Sequence, residues 1–269
     1  MKAAFAAIVA AFAVAAGAGN ASAASTSSTN WAGYAVTGNT FSTVSGTWVQ
    51  PAADCTTATS STTASAFWVG LGGDTTSSNA LEQTGTEADC LPNGRVRYSA
   101  WYELVPKASV RTSLKVSAGD RISASVSVKG TTVTLKLTNR TTDAGFTKKL
   151  TMSAPDVSSA EWIAEAPSAL TPGGTSVLPL TDFGTMKFTN ATAAATSGHS
   201  GTISDSAWLA TRISLLSSGA IRGGPPGDEY ASYDRSASEA IPTPLASSGR
   251  AFAVSFHTTS ASAQTYGGI

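Results

Sequence analysis

Histidine, cysteine and charge are all scarce in this chain, and each scarcity removes a class of function. Its 269 residues include only 2 His and 2 Cys. A histidine-dependent hydrolase would have to use His199 or His257. His199 lies in Ser-Gly-His-Ser-Gly, which reads as loop, and His257 ends an apolar strand-like run. No Gly-x-Ser-x-Gly elbow accompanies either, so both read as surface or edge histidines. Cys55 and Cys90 have neither histidine nearby in sequence and make a poor zinc site. The Gly72-Gly73-Asp74 stretch lacks the alternating carboxylates of a calcium loop. No metal and no cofactor is expected. Charged residues make up 13% of the chain, with 17 basic and 17 acidic side chains. Without a basic run, neither nucleic acid nor an anionic membrane is expected as a partner. The shortage of Lys and Glu also leaves few long helix formers.

The one long apolar run is at the N-terminus. Lys2 precedes the small apolar stretch Ala3 to Ala18, and Ala21-Ser22-Ala23 has the small-x-small form of a cleavage site. Residues 1–23 read as an export signal cut after Ala23, with a retained anchor as the weaker reading. The expected product, residues 24–269, is extracellular, monomeric and a single β domain. All-β sandwiches of about 200–250 residues in one domain are common. In that compartment Cys55 and Cys90 most simply pair with each other; two buried free thiols are the other reading.

What is abundant is Ser, Thr, Val and aromatics, the strand formers. Phe41 to Val49 alternates, with Val44, Gly46 and Trp48 on one side. Ala64 to Leu71 is a continuous apolar run around Trp68, and Ala80 to Thr84 a short strand. Val96 to Val105 sets Trp101 and Glu103 on one face and Tyr98, Ala100, Tyr102 and Leu104 on the other. Strands are also expected over Val110 to Val116, Arg121 to Val128, Thr132 to Leu137, Thr147 to Met152, Ser159 to Glu165, Gly184 to Thr189, Ala207 to Leu216 and Ala251 to His257. Residues 24–29 are expected to be mobile, and the segments between Pro167 and Pro172 and around Gly223 to Gly227 to be loops. No stretch carries a convincing 3.6-residue period. The pattern predicts an all-β fold of two antiparallel sheets packed as a β-sandwich of concanavalin A-like or jelly-roll type.

Two constellations can carry chemistry. Glu161 and Glu165 share a strand face, about 13 Å apart at Cα. Glycosidase carboxyls stand roughly 5–9.5 Å apart, so a jelly-roll glycoside hydrolase needs a bulge or converging side chains. A carbohydrate-binding module presenting Trp68 and Trp101 to sugar rings is a further reading. The second constellation is Gln83 with Glu165, which pattern alone leaves as ordinary polar surface.

Six segments give that pair meaning: Asn30-Trp31-Ala32-Gly33; Ala66-Phe67-Trp68-Val69-Gly70 leading to Gly73-Asp74; Gln83-Thr84-Gly85; Ala100-Trp101-Tyr102-Glu103; Ala160-Glu161-Trp162-Ile163-Ala164-Glu165; and Asp182-Phe183-Gly184 leading to Phe188-Thr189-Asn190. In content and order they resemble the glutamic peptidases (eqolisins), exported acid endopeptidases with a two-sheet β-sandwich fold. The resemblance covers residues 30 to about 192. It implies Gln83 and Glu165 as the catalytic pair, Trp68 and Trp101 as lining of the substrate cleft, and a protein or peptide substrate. Glu87, Gly72 and Val105 stand where the family often has Asp, Asp and Tyr; at Glu87 this bears on substrate binding. The chemistry is coherent. A carboxyl can take a proton from water and return it to the leaving amine, while a neutral amide holds the water and donates to the oxyanion. For a carboxyl of ordinary pKa, activity is expected near pH 4.

Overall fold

Period-two alternation builds the strands that hold this protein together. The computed structural model describes residues 23–56, 61–74, 78–171, 174–216 and 236–260. The expected export signal and the Gly223 to Gly227 loop lie outside the described residues, apart from Ala23. Along β3 (Phe41–Val49) the inward positions Val44, Gly46 and Trp48 are buried. β3 is flanked by β8 (Arg121–Lys129) and β14 (Thr185–Ala195). Beyond β8 come β9 (Thr132–Asn139) and β10 (Ala144–Thr151), and beyond β14 comes β18 (Phe252–Ser260). These six strands form one layer.

The second layer is ordered β16 (Leu209–Leu216), β2 (Trp31–Thr37), β11 (Ala160–Glu165), β4 (Thr63–Leu71), β5 (Leu81–Cys90), β6 (Val96–Val105) and β7 (Val110–Arg111). The two layers are not separate ladders. β17 (Ser236–Pro242) pairs with both β16 and β18, so one continuous hydrogen-bonded path folds over on itself. Indoles stitch the layers together. Trp162 Nε1 on β11 donates to Ser45 O on β3 at 2.8 Å, and Trp48 Nε1 donates to Thr86 Oγ1 on β5 at 3.0 Å. Phe67, Trp162, Phe188 and Val126 fill the space between, all fully buried. Burying each such side chain contributes about 2–3 kcal/mol.

Several expectations need correction. Ala24–Ser28 is a strand, β1, paired in parallel with β16, because its backbone completes the open edge beside Thr211 to Leu215. The 81–84 segment continues to Cys90, with Gly85 held in mid-strand between β4 and β6. Val110 to Val116 is strand for two residues only. The Thr112 N–H and hydroxyl both bind Ala100 O, at 2.8 and 3.0 Å, and the chain then leaves the ladder and crosses toward β8. The segment after Pro167 is not loop: β12 (Ser168–Thr171) pairs with β13 (Gly174–Val177). Ser200–Thr202 forms β15 on β14. Cys55 and Cys90 are joined by a disulfide, with Cα atoms 5.4 Å apart.

Candidate functional site

The outer face of the second layer carries a second, smaller apolar cluster of Ala35, Ala66, Trp68, Leu81, Trp101, Ile163 and Ile213. Strand register shows which polar groups share that face, since directly paired residues point the same way. One row runs Trp31–Glu165–Ala66–Glu87–Ser99. The next runs Gly33–Ile163–Trp68–Gly85–Trp101, and the third Ala35–Glu161–Gly70–Gln83–Glu103. Gln83 and Glu165 therefore lie in one layer and on one face, two strands apart with β4 between them.

Trp68 fills the interval. A Cβ built on Gly70 would lie 2.9 Å from Trp68 Cζ3 and 3.3 Å from Gln83 Cβ, so one edge of the indole lies beside Gln83. The pyrrole N–H at its other end donates to Glu165 Oε2 at 2.7 Å. Asn30 Nδ2 donates to Glu165 Oε1 at 3.2 Å. Asn30 is itself placed by Ser28, whose hydroxyl donates to Asn30 Oδ1 at 3.1 Å. Both oxygens of the Glu165 carboxyl are thus held. Burial pushes this carboxyl up to about 7. The hydrogen bond from Trp68 opposes that rise, the Glu103 charge adds to it, and hydrogen bonds from Trp31 and Asn30 oppose it.

Gln83 is 4% exposed. Its Nε2 donates to Glu103 Oε2 at 2.7 Å, which leaves the buried Oε1 without a partner among the described residues. The buried Trp101 Nε1 is also unpartnered among the described residues. Burial raises Glu103 above the ordinary carboxylate range, the bond from Gln83 opposes this, and the Glu87 charge adds to it. The Gln-Thr-Gly motif has a local reason at each position. Gln83 faces outward. Thr84 turns inward and donates its hydroxyl to Trp101 O at 2.7 Å. A Cβ at Gly85 would come within 2.2 Å of Phe67 O and 2.6 Å of Trp68 Cβ.

Trp68 and Trp101 are 0% and 4% exposed, so their indoles lie under this face rather than standing out from it. Glu87 sits in the Glu165 row. It accepts from the Ser99 hydroxyl at 2.7 Å and pairs with Arg111 Nη2 at 3.3 Å. Sequence reasoning missed Asn30 as a contributor and left Glu103 open between supporting the site and making a plain hydrogen bond. Both lie inside matched segments, but nothing in those segments says which side chains they hold.

Glu161 is fully buried, with both carboxyl oxygens unpartnered among the described residues. Burial raises it well above the ordinary range, and the charges of Asp74, Asp156 and Glu82 add to this. Glu82 faces the core, and burial raises it to about 8. Beside them Gly72 has φ 84, and a Cβ there would meet Asp156 Cβ at 2.5 Å. Asp156 Oδ2 accepts from the Gly73 N–H at 3.2 Å and from the Ser78 hydroxyl. Asp156, arriving from another segment, thus fills the space that a side chain at position 72 would need.

Several known proteins are similar to this chain. Aspergillopepsin-2 of Aspergillus niger is 30% identical over 192 residues, which are 64% of this chain and 65% of that protein. Scytalidopepsin B of Scytalidium lignicola is 38% identical over 104 residues, 38% of this chain and 36% of that protein. The chain therefore spans just under two thirds of the first relative's length and about a third of the second's. The crystal structure of scytalido-glutamic peptidase with a transition state analog inhibitor matches with a TM-score of 0.64 at 26% identity, covering 85% of this chain and 98% of that one. SCP-B, a member of the eqolisin family of peptidases in a complex with the tripeptide Ala-Ile-His, matches with a TM-score of 0.60 at 25% identity and the same coverage. Residues 29–223 match the family model itself, and the chain belongs to the Peptidase A4 family.

Proposed function

We propose that this protein is a secreted endopeptidase that hydrolyses peptide bonds at acid pH, with Glu165 and Gln83 as its catalytic pair. One observation carries the reading: a carboxyl held by two donors and raised to about 7 lies on the same face as a glutamine whose buried carbonyl is free. The raised value changes which form does the work. At pH 3–5 the Glu165 carboxyl is neutral, so it begins as the acid. Water attacks the scissile carbonyl as Gln83 Oε1 accepts one of its hydrogen bonds. The proton of Glu165 goes to the departing nitrogen, and the proton lost by water goes to the other carboxyl oxygen. The C–O bond forms, the C–N bond breaks, and the carboxyl ends neutral as it began. The Gln83 N–H not bound to Glu103 can donate to the oxyanion. Trp68 and Asn30 fix the carboxyl, and Glu103 fixes the amide.

The substrate is a polypeptide, the enzyme acts as a monomer, and it needs no cofactor. Glu87, with Arg111, borders the Glu165 row and contacts side chains flanking the scissile bond, while Trp68 and Trp101 form the floor beneath. Cleavage of an export signal after Ala23 leaves β1 whole, since it starts at Ala24. A sugar platform needs an open ring face, and both indoles are buried; this disfavours the carbohydrate-binding reading. The test is digestion of a denatured protein at pH 3–5 by the wild type, Glu165→Gln and Gln83→Ala, each checked for folding. The wild type should cleave with chelator present, and both variants should lose at least about 100-fold in rate. Equal cleavage by the Glu165→Gln protein would reject the pair.

A further inference from the structure

The two layers are closed along one side by β17, but their other edges, β6–β7 and β10, face each other across an open groove. The groove has a volume of about 660 Å3, and its wall includes Tyr102, Arg111, Leu114, Lys115, Phe146 and Lys148. Its floor is aromatic. The Tyr102 and Phe146 rings stand 6.2 Å apart, and Lys148 Nζ lies 5.9 Å from the centre of the Tyr102 ring. Among the described residues three cations line it and no carboxylate does. Asp143, between two lining residues, is exposed and does not itself line it. Arg111 is held by Glu87, but Lys115 and Lys148 have no acidic partner among the described residues.

One residue, Arg111, borders both the groove and the candidate site. Arg111 pairs with Trp101 in register and reaches Glu87 in the Glu165 row, and it lines the groove as well. The wall is anchored rather than loose, because Thr112 is tied to Ala100 O through both its N–H and its hydroxyl.

We infer that this groove is a second binding site, taking an acidic, aromatic-containing segment of the polypeptide substrate that lies outside the residues being cut. Carboxylates of that segment meet Lys115 and Lys148, and an apolar or aromatic side chain packs on Tyr102 and Phe146. The inference rests on the peptidase reading for the identity of the occupant, and not for the existence of the site.

Two measurements separate these. The first uses the full chain carrying Glu165→Gln, with a labelled glutamate-rich peptide and its lysine-rich counterpart, at pH 5.5 and low salt, read by fluorescence anisotropy. The acidic peptide should bind and the basic one should not. Adding Lys115→Glu and Lys148→Glu should weaken binding about tenfold, and 0.5 M salt should abolish it. Equal binding of both peptides, or unchanged binding by the lysine variants, overturns the site. The second measures cleavage of a short peptide with and without a glutamate-rich extension. The extension should lower KM and leave kcat unchanged in the wild type, and change neither constant in the lysine double variant. Binding through the two lysines with no KM effect would overturn the substrate assignment while leaving the site. Cleavage of neither peptide would instead count against the peptidase reading.

Discussion

At the scale of single residues, the candidate pair is defined by what each partner is tied to. Glu165 has both oxygens held by donors and its pKa raised to about 7, while Gln83 spends one N–H on Glu103 and keeps its carbonyl free. The Glu103 charge is one of the causes that raise Glu165. Glu103→Gln should therefore lower the pKa of Glu165 and move the high-pH fall in kcat/KM to lower pH. The substituted amide can still accept from Gln83, so the loss in maximal rate should stay well short of the roughly 100- to 1000-fold expected for loss of Gln83 itself. A pH series on the two proteins checks this; an unmoved limb would separate Glu103 from Glu165. None of it was legible from pattern alone. Gln83 and Glu165 are 82 positions apart in the chain, and a strand sequence says which residues alternate but not which strand lies beside which. The resemblance picked out the two residues. It did not reveal that burial would leave Glu165 neutral at acid pH, because desolvation comes from distant segments.

At the scale of elements, the strands built from branched and aromatic residues were readable, and those resting on tertiary pairing were not. Phe41–Val49 and Val96–Val105 follow their alternation. The second half of β5, Gly85 to Cys90, has no apolar alternation of its own and is strand because β4 and β6 pair with it along its whole length. β1 and the β12–β13 hairpin were missed for the same reason. Gly85 makes the dependence testable. A methyl there would press on Phe67 O and Trp68 Cβ, separating β5 from β4 beneath the candidate site. Gly85→Ala should cost about 2–3 kcal/mol in urea unfolding. It should also depress cleavage by more than the folded fraction explains, since Trp68 positions Glu165. Wild-type stability would show that the strands part without strain.

At the scale of the whole molecule, buried acids dominate. Glu82, Glu161, Glu165, Glu103, Asp74 and Asp89 are all raised, chiefly by burial, whereas Asp54 and Asp156 are lowered. A carboxyl with a raised native pKa stabilises the fold fully below its unfolded value, about 4.3 for Glu. That stability is lost as pH rises through the native value. The lowered pair act in the opposite sense and favour the fold above their unfolded values. The raised set is larger and more deeply buried, so stability should fall between about pH 4.5 and pH 8, with Glu82 alone contributing on the order of 4 kcal/mol. Urea midpoints across that range check it, and Glu161→Gln should flatten the fall by stabilising the protein at pH 7. A stability that rises toward pH 7 would mean the acids are ionised and paired in the native state. The most direct test of the account is kcat/KM of the wild type against pH from 3 to 7.5, with folding followed in the same samples. The prediction is a plateau at acid pH and a fall of one proton's steepness near pH 7 while the protein is still folded. Activity that instead rises through pH 7 would contradict it, because Glu165 would then be working as an ionised base.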